Sequence, residues 1–139
     1  MKAIWYTRQG AAKDVLQFGD QPDPQAAAGE VRVKLYASGV NPADIYRRAG
    51  PNFKMDGPLI IPNSDGAGIV DDVGRGVDRG LIGRRVWLYN GQRNGRAFGT
   101  ACEYIALAEG LVTPLPDDLS FAQGATLGIP AHGYGIRYD

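Results

Sequence analysis

The run Asn41-Pro42-Ala43-Asp44-Ile45-Tyr46 gathers an amide, a carboxyl and a phenol in one short segment. An amide donates and accepts hydrogen bonds, a carboxylate accepts them, and a phenol can give a hydrogen bond or a proton. Asn suits a helix N-cap and Pro the first helical position, so a short helix is expected to start here. Polar side chains where a loop enters a helix often serve sites. The plainer reading of Asn41 is a cap and nothing more. Asp44 either orients Asn41 or Tyr46, or simply favours the positive end of the helix. Ser64 and Asp65 form a second polar pair, ahead of Gly66-Ala67-Gly68. They suit either pocket acceptors or a turn.

Other reactive residue types are sparse. His132 is the single histidine. A histidine side chain ordinarily changes charge near neutrality, yet no partner for this one is visible in the sequence. Cys102 is the single cysteine, which excludes an internal disulfide, and its alternating strand makes it a small, half-buried residue. Arg84, Arg85, Arg93 and Arg96 read as solvated surface, with a small cationic rim as the alternative. A phosphate-cradling loop needs G-x-G-x-x-G between a strand and a helix. Gly74-Arg75-Gly76-Val77-Asp78-Arg79-Gly80 has its third glycine one place late, and a strand follows instead of a long helix. It reads as a turn.

The elements that must position these residues are mostly short strands. Residues 2–7 form a first strand, and 14–19 its expected partner. Val31, Val33, Leu35 and Ala37 alternate with Arg32, Lys34, Tyr36 and Ser38, a period of two with one dry face. Residues 66–73, 86–89, 101–107 and 111–113 read as further strands, and 51–65 and 90–99 as loops. Ser120 and Gln123 have the capping-box spacing, predicting a helix from Phe121 to at least Gly128. The pattern is a β-rich barrel or sandwich with short helices.

The bulk numbers agree with one globular domain. The chain has 139 residues, of which 44% are hydrophobic and 22% charged. Fifteen basic residues balance fifteen acidic ones, which argues against nucleic acid or an anionic membrane as the main partner. No stretch reaches the length of a membrane span and the N-terminal apolar run is too short for a signal peptide. A cytoplasmic location is the expectation.

Together these segments resemble the zinc-free quinone oxidoreductases, the zeta-crystallin-like group of the medium-chain dehydrogenase/reductase superfamily. The resemblance is carried in order by Met1-Lys2-Ala3-Ile4, Gly29-Glu30-Val31-Arg32-Val33, the run from Ala37 to Asp44, and Pro62-Asn63-Ser64-Asp65-Gly66-Ala67-Gly68-Ile69-Val70. Gly83-Arg84-Arg85-Val86, Pro114-Leu115-Pro116-Asp117 and the run from Phe121 to Pro130 continue it. It implies a GroES-like distorted β-barrel over residues 1–131, with a divergent tail at 132–139 and no Rossmann domain in the chain.

The resemblance also implies a function and a site. The full enzyme would move a hydride from NADPH to a quinone or another activated carbonyl. Asn41 and Tyr46 would be catalytic. Asn41, Ser64 and Asp65 would face the cofactor, and Tyr46, Phe53, Tyr89 and Asn90 would line the substrate pocket. Family members often carry a second Tyr where this chain has Asn52-Phe53. Zinc-dependent relatives place Cys and His at the positions of Asn41 and Ser64, neither of which can replace a thiolate or imidazole. No zinc is expected. The nucleotide-binding half would begin about where this chain stops, so no tight NADPH binding and no activity in isolation are expected. The alternatives are a binding module with a GroES-like fold, and a decoy domain pairing with a full-length oxidoreductase. The decoy would use the exposed interdomain face, which also makes self-association possible.

Overall fold

A computed structural model describes residues 1–130. β1 (Lys2–Trp5), α1 (Ala12–Val15) and β2 (Gln17–Asp20) open the chain, followed by β3 (Glu30–Gly39) and α2 (Pro42–Ala49). β4 (Asp65–Val73), β5 (Arg85–Leu88), β6 (Tyr104–Ala108), β7 (Val112–Pro114) and α3 (Phe121–Gly124) complete it. β1 and β2 form a two-stranded sheet; the others form a five-stranded sheet in the order β6-β3-β4-β5-β7. All the strand pairings are antiparallel, so the described residues contain no parallel Rossmann-type sheet.

The dry face read in β3 is the core. Val31 and Val33 are buried with Val70, Val86, Leu88, Ile105 and Leu107 between the strands. Arg32, on the wet face, forks onto Asp71 of β4 through Nε–Oδ1 at 2.9 Å and Nη2–Oδ2 at 3.1 Å. The opposite face of β4 and β5 is also covered. Ala67, Trp87 and Leu115 pack there with Phe121 and Leu127, which fastens α3 onto the sheet.

The barrel does not close. β6 and β7 end the five-stranded sheet without pairing with each other. Closure of a sheet needs continuous hydrogen bonding around the ring. Here β1 meets β6's leading segment only through an isolated Ala3–Cys102 bridge and the bonds beside it, and Tyr6 bridges separately to Ile60.

Several boundaries differ from the sequence reading. The partner of β1 is shorter than residues 14–19 suggested, because Ala12–Val15 coils into a helical turn that buries Val15 beside Tyr6 and Ile60. Ile60 and Ile61, expected in a loop, bridge to Tyr6 and Phe98. The strand expected from 101 starts at Tyr104, since 101–103 is spent on the irregular contact with β1. The capping box at Ser120 is present, but the helix ends at Gly124 and continues as turns. Gly124 sits so close to Ala67 and Leu115 that a side chain there would collide with them. Tertiary packing sets that element rather than helix propensity. His132 and the 132–139 tail lie outside the described residues.

Candidate functional site

The register of the main sheet builds the site. Gly39, the last residue of β3, stands opposite Asp65, the first of β4. The chain leaves β3 two residues before Asn41, so Asn41 and Asp65 meet although they are far apart in sequence. Asn41 Nδ2 donates to Asp65 Oδ2 at 2.8 Å. The Ile129 N–H donates to both Asp65 oxygens, at 3.2 and 3.1 Å. Asp65 is fully buried and Asn41 nearly so. Gly128 passes directly over the carboxylate, where a Cβ would press on Asp65 Oδ1 and lie 2.8 Å from Tyr89 Cβ.

α2 starts as its sequence predicts. Asn41 and Asp44 make the capping box, with the Asn41 N–H donating to Asp44 Oδ2 at 2.7 Å. The other oxygen, Asp44 Oδ1, is buried with no partner among the described residues. Burial therefore pushes the Asp44 carboxyl above its usual range, against the Asn41 N–H, and the Asp65 charge adds to the rise. A raised folded-state pKa means stability that is full below the unfolded value and is lost as pH rises through the folded one. Asp44→Asn is therefore expected to match or exceed the parent in urea midpoint at pH 7. That margin should shrink as the pH falls and the Asp44 carboxyl takes up its proton, and vanish once it is neutral in the unfolded chain as well. A large loss at pH 7 would show that the ionised carboxylate is needed at the helix start.

A layer of polar groups below this pair was not legible in the sequence. Thr100, fully buried, donates through Oγ1 to the Asp65 carbonyl at 2.7 Å and lies 2.7 Å from Ser38 Oγ. Gln92 is equally enclosed; its Nε2 donates to Asp56 Oδ2 at 2.9 Å and to the Arg96 carbonyl at 3.0 Å. The Gln92 carbonyl accepts from Ser64 Oγ at 3.2 Å and from Arg47 Nη1. Ser64 is thus held inward, on the loop of residues 90–99, instead of standing free. A polar glycine-punctuated loop gives no sign that Gln92 is a structural pillar.

The aromatic residues disperse. Tyr46 projects from α2 and is 59% exposed. Phe53 lines a separate cavity with Tyr6, Arg47 and Gln92, whose walls do not include Tyr46. Tyr89 stacks on Trp87 at 6.0 Å between ring centroids, and Asn90 turns the chain with φ of 60°. The structure thus brings Asn41, Ser64 and Asp65 into one buried floor and leaves Tyr46 on the surface above α2.

Cys102 is chemically quiet. Burial pushes its thiol up to about 12, and Sγ lies 3.1 Å from the Tyr104 carbonyl. Thiolate is the reactive form, so the folded chain is expected to resist iodoacetamide at pH 8 and to react only when urea opens it. Since the folded pKa is raised, stability should fall as pH climbs from 9 toward 12. Rapid labelling of the native chain would contradict this placement.

Comparison with known proteins adds a consistent picture. Residues 27–117 match the family model described as the alcohol dehydrogenase GroES-like domain. Quinone oxidoreductase of Rattus norvegicus is 35% identical over 130 residues, covering 94% of this chain and 38% of the relative. The structure of the quinone oxidoreductase from Coxiella burnetii superposes with a TM-score of 0.82 at 28% identity, covering 93% of this chain and 41% of that one. A mycobacterial structure complexed with NADPH superposes with a TM-score of 0.72 at 31% identity, covering 87% of this chain and 35% of that one. The chain therefore spans well under half the length of the relatives it matches.

Proposed function

From a chain that belongs to the alcohol dehydrogenase GroES-like domain family, with quinone oxidoreductases of the medium-chain dehydrogenase/reductase superfamily as relatives, we propose the substrate-side half of an NADPH-dependent, zinc-independent quinone oxidoreductase. The observation that carries this reading is the buried Asn41–Asp65 pair beside the exposed Tyr46.

The donor chemistry at the relevant positions does not suit zinc. Asn41 directs an amide N–H to Asp65, and Ser64 directs its hydroxyl to the Gln92 carbonyl. Zinc sites are built from thiolate, imidazole and carboxylate, and here Asp65 is the one such group among the three. Among the described residues no group of three or more His, Cys, Asp or Glu side chains could hold a metal ion.

NADPH fits this chain at its nicotinamide end only. Residues 74–80 turn into a 3-10 helix, Arg79–Leu81, and then β5, so they form no phosphate cradle. When bound, NADPH supplies the hydride; orientation falls to the protein. Asn41, Ser64 and Asp65 support the floor on which the nicotinamide would lie. Tyr46 is free to hydrogen-bond a quinone oxygen as negative charge develops on it. Val40, Ile45 and Tyr46, next to Asn41 in the chain, are exposed apolar side chains suited to a second domain or a second chain.

The test joins this chain to the remaining length of a relative such as the rat enzyme and follows NADPH oxidation by a quinone. Turnover that survives a zinc chelator is expected, and Tyr46→Phe should lower kcat by about tenfold to a hundredfold without moving the urea midpoint. Absence of turnover in a well-folded fusion, or its loss to chelator, would sink the reading. The chain by itself should show no heat with NADPH in a calorimetric titration; micromolar binding would withdraw the inactivity in isolation.

A further inference from the structure

We propose that a cavity on the side of β6, distinct from the Asn41 floor, binds a monocarboxylate with an apolar tail, its head on the Arg96 guanidinium. The cavity has a volume of about 480 Å³, within the range of small-molecule sites. Leu59, Ile61, Phe98, Tyr104 and Ile105 supply apolar parts of its wall, and Arg96 stands among them.

Arg96 is unusual in its company. It forms no ion pair with any carboxylate among the described residues. Its Nε donates to the Gly91 carbonyl at 2.8 Å, and its Nη2 donates to the carbonyls of Ala106 at 2.9 Å and Phe98 at 3.3 Å. A guanidinium has five N–H donors, so those bonds leave both protons of Nη1 without a partner among the described residues. Burial lowers the Arg96 pKa and Glu30 opposes this only from a distance, yet an arginine keeps its charge under any ordinary condition. A half-buried cation without a counter-ion gives up part of its hydration at a cost. Asp23, on the cavity rim, does not supply one, because the terminal amine of Met1 holds it at 2.8 Å. The ligand that fits is therefore an anion whose remainder is apolar. A carboxylate matches the free Nη1 end of the guanidinium in charge, and the tail would replace water against Leu59, Phe98 and Tyr104.

The plain alternative is that Arg96 only braces the loop of residues 90–99 through the carbonyls it binds. Octanoate, with 1-octanol as the neutral probe of the same length, separates the two by titration of the whole chain, followed by calorimetry and by backbone amide NMR. Octanoate is expected to bind in the micromolar range, about tenfold or more tighter than octanol. Shifts should gather at residues 96–98 and 104–106 and leave Asn41 unmoved. Arg96→Met should abolish that preference for the anion. Ala106→Leu, which narrows the cavity while leaving Arg96 and its carbonyl bonds in place, should weaken octanoate at least about tenfold. It decides the matter if Arg96→Met fails to fold. Equal binding of octanol, unchanged binding to Ala106→Leu, shifts mapped to Asn41, or no octanoate binding at all would overturn the proposal.

Discussion

Asp65→Ala is expected to lower the unfolding free energy by about 3 kcal/mol or more, since hydrogen bonds to a charged group contribute about 1.5–3 kcal/mol each and buried donors left unmade add to the loss. Among the described residues, Asn41 Nδ2 and the Ile129 N–H donate to this carboxylate. Neither Asn41 nor Asp65 can turn to water where it lies. The variant also frees the chain around Gly128, which crosses the carboxylate closely. Asp65→Asn should recover part of the loss, because its carbonyl oxygen can accept from one donor while its amide opposes another. Urea unfolding at pH 7 checks the order: parent above Asp65→Asn, and Asp65→Asn above Asp65→Ala. An Asp65→Ala midpoint equal to the parent would mean that the pair does not hold the site together.

Gly68→Ala should cost about as much, roughly 3 kcal/mol, at the upper end of overpacking effects. Gly68 sits in β4, in the middle of the sheet, opposite Leu35 and beside the register shift between Leu35 and Ala37. A Cβ there would be driven into the Lys34 carbonyl oxygen, with the Lys34 carbonyl carbon at 2.8 Å and the Leu35 Cα at 3.0 Å. All three are backbone atoms of β3, so no side chain can swing aside. The strands must separate at the point that sets the Gly39–Asp65 pairing. Gly110→Ala is the matched control, since nothing lies within 4 Å of a Cβ at that position. Thermal unfolding should show a large fall for Gly68→Ala and little change for Gly110→Ala. Equal midpoints would show that β3 and β4 are less tightly apposed than described.

The two effects have one origin. The spacing of β3 and β4 places Asp65 under Asn41, and the carboxylate in turn ties down Ile129. A change in either the strand pairing or the carboxylate should therefore disturb α2, on which Tyr46 is carried. Amide shifts of residues 42–46 in a destabilised but folded variant, such as Asp65→Asn, would report that link.

Local chemistry alone determined a good part of this protein. The alternation from Val31 to Ala37 fixed which face of β3 is dry, because a strand's side chains point to opposite faces in turn. Asn41, Pro42 and Asp44 determined where α2 starts, since capping is a matter of neighbours along the chain. What only the tertiary structure decided is what depends on partners distant in sequence. The Asn41–Asp65 bond exists because of a register between two strands, and the inward turn of Ser64 exists because Gln92 lies beneath it. The end of α3 at Gly124 and the open edges of β6 and β7 follow from packing and pairing, not from local preference. So does the dispersal of Tyr46 and Phe53, because a side chain's direction across a fold depends on how elements dock, which no short stretch of sequence encodes.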